Sequence, residues 1–154
     1  MRIRPATDAD APGVGEVFVR ARDEMTYLPR IPDRIRPSMG ALILRSADVW
    51  VAARRRNVLG FVGIDGDELT HLYVDPSAQR HGLGTELLGH AKGLRPRGLL
   101  LWVFLRNTEA RKFYERNGFR LCRVTNGAEN MEREPDARYS WQPASGRLPT
   151  VRQS

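Results

Sequence analysis

Residues 72–85 run Leu72-Tyr73-Val74-Asp75-Pro76-Ser77-Ala78-Gln79-Arg80-His81-Gly82-Leu83-Gly84-Thr85. Pro76 stops a short apolar, β-rich run. Two glycines one residue apart then open the segment from Gly82 to Lys92, in which Leu83, Leu87, Leu88 and Ala91 share one helical face. The pattern is strand, turn, helix. The first amide N–H groups of a helix have no partner within it, and the dipole there is positive, so the turn suits an anion. Gly82 and Gly84 remove side chains that would hold a phosphate away from the backbone, and Arg80 and His81 add donors. The same residues also fit an ordinary tight strand-to-helix turn. A Walker loop needs Gly-Lys-Ser/Thr, which is missing, and the dinucleotide fingerprint needs a third glycine where Leu87 stands.

Upstream, the pattern has period two. Leu69 to Val74 is preceded by Leu59 to Ile64 and Val49 to Ala53, with turns at Asp65-Gly66-Asp67 and at Arg54-Arg55-Arg56-Asn57, so three consecutive antiparallel strands are expected. Arg2-Ile3-Arg4 suits a short first strand. Asp8 follows as an N-cap for a helix carrying Ala11, Val14, Val17, Phe18 and Ala21, although Gly13 and Gly15 weaken it. Residues 25–37 hold three prolines among Tyr27, Leu28 and Ile31 and read as a structured loop, with a second helix starting at Asp33 or Ser38 and running toward Leu44.

Downstream, Gly93 is a candidate C-cap. Leu99 to Leu105 is a nearly unbroken apolar run, as expected of a central strand covered on both faces. Thr108 to Arg116 is an amphipathic helix closed by Gly118, and Phe119 to Val124 and Arg138 to Trp141 are further strands. The order predicts one α/β (α+β) domain over residues 1–143, with a mixed, mostly antiparallel sheet of about seven strands, a parallel pair and about four helices. Residues 144–154 are expected to form a loose tail.

The 154 residues suffice for one well-cored domain, which needs neither metals nor disulfides to fold. Hydrophobic residues at 41% against 28% charged exclude a mostly disordered chain. No apolar run approaches the roughly 20 residues of a membrane span, and the N-terminus lacks the apolar core of a signal peptide. Cys122 is alone, and no Cys/His spacing suits zinc, so neither a disulfide nor a metal is expected and the compartment reads as cytoplasmic. A net charge of +7 raises nucleic-acid binding. Only Lys92 and Lys112 of the 25 basic residues are lysine, however, and the arginines are scattered, which looks like compositional bias.

Two blocks then carry a resemblance. Leu72-Tyr73-Val74-Asp75-Pro76 leads into Gln79-x-x-Gly82-x-Gly84, and about thirty residues later comes Asn107-x-x-Ala110-x-x-Phe113-Tyr114-x-x-x-Gly118-Phe119. Together they resemble the GNAT superfamily of acyl-CoA-dependent N-acyltransferases over roughly a third of the chain, and the order of elements is similar too. Glu134-Pro135-Asp136-x-Arg138-Tyr139-x-Trp141 looks similar to the closing strand of some small bacterial members.

The resemblance implies that acetyl-CoA is the co-substrate, its pyrophosphate resting on Gln79, Arg80, His81, Gly82, Leu83, Gly84 and Thr85. The pantetheine arm would pair with the backbone of Leu72, Tyr73 and Val74, where the parallel strands splay, and a backbone amide there would steady the oxyanion. Asn107 matches a position that holds pantetheine or orients the following helix, and on its own chemistry it also reads as a plain helix cap. Tyr114 matches the general acid that protonates the leaving thiolate, and also reads as a core aromatic beside Phe113. Glu68 matches the site of a base in several members. It shares a face with Thr70 and Leu72 unless a bulge intervenes, and His71, on the opposite face, is the reserve. Cys122 is expected to be buried in its strand.

The function expected is transfer of an acetyl group to a primary amine by direct attack in a ternary complex. The acceptor falls to the least regular segments. Tyr27, Arg30 and Arg34 could meet an acidic group on it, Asp23, Glu24 or Glu129 could hold its amine, and Glu68, Asp136 and Tyr139 could face it. A non-catalytic acyl-CoA sensor ranks second and a nucleic-acid binder third. The resemblance leaves a homodimer open and implies no membrane.

Overall fold

A computed structural model describes residues 1–144. The tail expected from residue 144 onward lies, but for Ala144, outside the described residues. Two compact units divide the chain, the first Met1–Ala91 and the second beginning at Lys92.

The first unit opens with β1 (Arg2–Pro5) and a single 3-10 turn (Asp8–Asp10), then α1 (Ala11–Asp23). The cap is not Asp8. Thr7 and Asp10 form a reciprocal capping box, and Arg4 donates two bonds of 2.8 and 2.9 Å to the Asp10 carboxylate. Those bonds, with the Thr7 amide, hold the Asp10 pKa down at about 2. A structured loop follows, with Leu28 and Ile31 buried, then a 3-10 turn (Arg36–Ser38) and α2 (Met39–Ser46). The glycines that weaken α1 on paper have a packing reason. A Cβ on Gly15 would stand 2.8 Å from the Gly40 amide nitrogen, and one on Gly40 would stand 1.7 Å from the Ala11 carbonyl oxygen. The two helices touch backbone to backbone.

Three strands come next, β2 (Asp48–Arg54), β3 (Asn57–Asp65) and β4 (Glu68–Val74), and they pair antiparallel in the order β1-β2-β3-β4. Arg55 at φ +57° and Gly66 at φ +62° make the two tight turns. Val14, Val17 and Phe18 of α1 and Ile43 of α2 pack with Val51 and Phe61 on one side of this sheet. Leu83, Leu87 and Leu88 of α3 (Leu83–Leu94) are buried as well, and Gly60 lets Leu87 and Leu83 approach β3. Gly93 lies inside α3 and does not cap it.

The second unit holds β5 (Leu99–Phe104), α4 (Thr108–Arg116), β6 (Arg120–Thr125) and β7 (Asp136–Trp141), the strands ordered β5-β7-β6 with both pairs antiparallel. Leu99, Leu101, Ala137 and Tyr139 form its buried face. Tyr139 is fully buried. Its hydroxyl donates to Glu115 Oε2 at 2.6 Å and accepts from Arg111 Nε at 3.0 Å, fastening α4 to β7. Burial and then the Glu115 carboxylate push this phenol's pKa up.

Two expectations fail in this unit. The apolar run of β5 is not covered on both faces, since Leu100 is 37% and Trp102 40% exposed. Cys122 is exposed, because β6 is an edge strand whose residues 120–124 all face solvent. Among the described residues no helix is long and apolar enough to cross a membrane.

Candidate active site

The glycine-bearing turn has a definite geometry. The Asp75 amide donates to the Leu59 carbonyl at 2.8 Å, and a 3-10 turn (Pro76–Ala78) closes with the Ala78 amide on the Asp75 carbonyl, also 2.8 Å. The Asp75 carboxylate is buried. Ser77 Oγ donates to its Oδ2 at 3.1 Å, and Arg20 of α1 lies 3.4 Å from Oδ1. Arg20 and Ser77 were not singled out by sequence; nothing in the spacing of a helix 55 residues upstream announces that it will brace this turn.

Beyond it Gln79 is extended and donates its side-chain amide to the Val74 carbonyl at 3.2 Å. Arg80 (φ +69°) and Gly82 (φ +82°) are both left-handed. A non-glycine residue pays strain there, so Arg80 is held by its surroundings. A Cβ on Gly82 would meet no protein atom within 4 Å, so within the protein it is the left-handed backbone angle that calls for glycine. The first intrahelical bond runs from the Glu86 amide to the Gly82 carbonyl, which leaves the amides of Leu83, Gly84 and Thr85 without helical acceptors. Arg80, His81 and Gly82 are exposed around them. Alternating backbone handedness beside bare amides makes an anion cradle, and these residues fit a diphosphate.

β4 leads into that cradle with a bulge. Phe61 pairs with Tyr73, Val62 with Leu72 and Gly63 with His71, but Ile64 pairs with Leu69 and Asp65 with Glu68. Thr70 is the extra residue. The slip corrects the face assigned to Glu68. By register it shares the side of His71 and Tyr73, not that of Leu72. On that side the His71 ring lies about 6 Å from the rings of Phe18, Phe61 and Tyr73, and Arg22 lies over Phe18. His71 Nδ1 is 2.9 Å from Thr70 Oγ1. Burial pushes the imidazole pKa down from 6.5 to about 4, so the ring is neutral at physiological pH.

In the second unit Asn107 caps α4, its Oδ1 accepting from the Ala110 amide at 3.2 Å. Tyr114 is 9% exposed and stands edge-on to Phe113 and Phe119, with centroids 5.4 Å apart in each case. Asp136 accepts from Thr125 Oγ1 and from Asn130 Nδ2, which ties it to the loop between β6 and β7. Gly127 lies against the Glu134 backbone in the same loop. Tyr139 does not face a pocket; it is in the core. Among the remaining acceptor candidates, Arg30 pairs with Asp33 at 2.7 Å, Asp23 with Arg36 at 2.7 Å, Tyr27 is half-buried, and Arg34, Glu24 and Glu129 are exposed. Among the described residues no group of three or more His, Cys, Asp or Glu could hold a metal ion.

Against known proteins, the Acetyltransferase (GNAT) domain family matches residues 45–121, half of the chain. The chain belongs to the GNAT acetyltransferase family. It is 31% identical over 108 residues to the peptidyl-lysine N-acetyltransferase YiaC of Escherichia coli K12, covering 70% of this chain and 68% of that one. It is 35% identical over 79 residues to the peptidyl-lysine N-acetyltransferase YjaB of Salmonella typhimurium, 51% of this chain and 54% of that one. The chain thus spans about half the length of some curated relatives that it matches. The solution structure of apo-form YjaB from E. coli superposes with a TM-score of 0.73 at 23% identity, over 91% of this chain and 96% of that one. The PaiA N-acetyltransferase of Thermoplasma acidophilum, in complex with coenzyme A, does so at 0.68 and 19% identity, over 92% and 98%. These likenesses establish the GNAT fold.

Proposed function

We propose that this GNAT member is an N-acetyltransferase that takes acetyl groups from acetyl-CoA and delivers them to lysine side chains of proteins. The observation that carries the reading is the cradle at the start of α3, where Arg80 and Gly82 turn left-handed and the amides of Leu83, Gly84 and Thr85 lack helical acceptors. In this reading those amides, with Arg80 and His81, hold the pyrophosphate of the co-substrate. The backbone of Leu72, Tyr73 and Val74 receives the pantetheine arm, and Gln79 steadies that stretch through the Val74 carbonyl. Asn107 orients α4 as its cap. The acceptor class is supported by the names of YiaC and YjaB, both peptidyl-lysine enzymes.

For chemistry, an alkyl ammonium with a pKa near 10 must shed a proton before it attacks the thioester. Glu68 is the base, directly or through water, and His71 stays neutral beside it. A backbone amide of β4 supports the developing oxyanion. Tyr114 donates a proton to the departing thiolate, its phenol being the group of suitable acidity.

Calorimetric titration with acetyl-CoA and mass analysis of a lysine peptide test this. The wild type binds and acetylates. Gly82→Val forces a branched side chain into left-handed backbone and weakens acetyl-CoA binding by about tenfold or more. Tyr114→Phe lowers turnover more than cofactor affinity. Unchanged binding in Gly82→Val, or no thiol release from any lysine peptide, overturns the assignment.

A further inference from the structure

The turn between β2 and β3 runs Arg54-Arg55-Arg56-Asn57, and all four residues are exposed. None of the three arginine side chains makes a hydrogen bond or ion pair with the described residues. Arg55 is the first central residue of this two-residue turn and is left-handed, at φ +57°. Glycine, asparagine or aspartate is the usual occupant there, so the chain accepts backbone strain to keep a guanidinium at the tip.

Register fixes where this hairpin lies within the first unit. Val74 pairs with Gly60, and the Asp75 amide bonds the Leu59 carbonyl, so the tip projects at the end of the sheet where β4 gives way to the glycine-bearing turn. Val51 and Ala53 pack with α1 and α2, so by alternation Trp50, Ala52 and Arg54 belong to the opposite side, that of α3. Two contacts agree. The Trp50 and His90 rings lie 5.7 Å apart, and a Cβ on Gly60, the partner of Ala52, would stand 3.1 Å from Leu87 and 3.4 Å from Leu83. α3 therefore begins near Ala52 and runs back toward Trp50. Its first amides point along the sheet toward Arg54, which lies about 7 Å beyond Ala52.

Amide dipoles and full cations suit different anions. The bare amides of Leu83, Gly84 and Thr85 match a diphosphate, whereas a phosphomonoester carries close to two charges at neutral pH and calls for guanidinium. Coenzyme A carries both, joined through one ribose. We propose that Arg54, supported by the charges of Arg55 and Arg56, binds the 3′-phosphate of the co-substrate, an inference that rests on the acetyl-CoA reading above. The protein thereby distinguishes the coenzyme from its 3′-dephospho form, which a cradle fitted to the diphosphate does not do. Asp75, between hairpin and cradle, does not compete for these guanidiniums, because it is buried and engaged by Ser77 and Arg20. The diesters of a nucleic acid carry one charge each, and a three-residue tip neutralises too few of them to hold a strand.

Calorimetric titration with coenzyme A and with 3′-dephospho-coenzyme A decides the matter. The wild type binds the phosphorylated form about tenfold more tightly, and the gap narrows as salt is raised. Arg54→Gln removes most of that preference and leaves affinity for the dephospho form unchanged. Arg54→Lys, which keeps the charge without the fork, retains part of it. In turnover Arg54→Gln raises KM for acetyl-CoA with kcat unaltered, as expected of a contact made equally in ground and transition states. Arg45→Gln, at an exposed arginine of α2, leaves the preference intact. Far-UV circular dichroism identifies variants that fold as the wild type does. Equal affinity of the wild type for the two coenzymes, or a preference that survives replacement of Arg54, Arg55 and Arg56 together by glutamine, overturns the proposal. So does an equal loss in Arg45→Gln, which would make the preference a property of overall charge, or a short RNA that outcompetes coenzyme A only while the three arginines are present. If neither coenzyme binds, the acetyl-CoA reading fails and takes this one with it, whereas equal binding of both overturns this one alone.

Discussion

The two units solve the same packing problem differently. In the first, α1 and α2 bury one side of a four-stranded sheet, Leu83, Leu87 and Leu88 of α3 are also buried, and only Met1 and Leu42 among its large apolar side chains are left exposed. In the second, three strands meet a single two-turn helix, and Leu100, Trp102, Leu121, Val124 and Met131 face solvent, Met131 at 94%. A closed unit resists substitution at its buried positions on both sides of the sheet. A half-covered one separates stability from surface chemistry, because one face holds the sheet together and the other is available for contacts.

The sharpest way to break the contrast is at the crossing of α1 and α2. Gly40→Leu cannot be absorbed by a rotamer change, since the clash is with the Ala11 carbonyl, and we expect a loss above about 3 kcal/mol or no folded protein at all. A near-normal denaturation midpoint would mean that the helices are not in backbone contact. The second unit is probed by adjacent leucines. Leu101→Ala, at a buried position, costs about 2–5 kcal/mol in urea titration, whereas Leu100→Ala on the bare face costs under about 1 kcal/mol. Equal costs would show that the second face is covered after all.

The most gradual effect is a pH slope. His71 titrates near 6.5 when unfolded and at about 4 when folded, so between those values the unfolded chain binds the extra proton. Stability is therefore complete above pH 6.5 and declines toward pH 4, by up to about 3 kcal/mol if the ring is fully shielded and by less as water reaches it. His71→Phe flattens that slope, and a slope unchanged in the variant would assign it to other groups.

Much of this was legible in one dimension. Apolar runs in β2 and β3, bounded by turns that carry glycine and arginine, report strands covered on both faces, and Gly82-x-Gly84 reports the turn that opens α3. What escaped needed two distant segments at once. Gly15 looks like a helix defect until Gly40, a residue of another helix, is found against it. Arg20 gains its meaning from Asp75, 55 positions on. The run at residues 99–104 hid its alternation because Leu100 and Trp102 are as apolar as the buried Leu99 and Leu101 beside them. Cys122 looked internal because edge position is a property of strand order, which its own neighbours do not encode. The slip at Thr70 has no local signature either, and it moved Glu68 to the other side of β4.

That extra residue divides β4 into two segments that keep time independently. Tyr73 and Val74, next to the cradle, take their phase from Phe61 and Gly60, whereas Glu68 and Leu69 take theirs from Asp65 and Ile64. Excising Thr70 would turn the outer segment half a pleat while leaving the inner one in step. Evolution, or a designer, can thus re-aim the side chain at position 68 without disturbing the backbone that leads into the glycine-bearing turn.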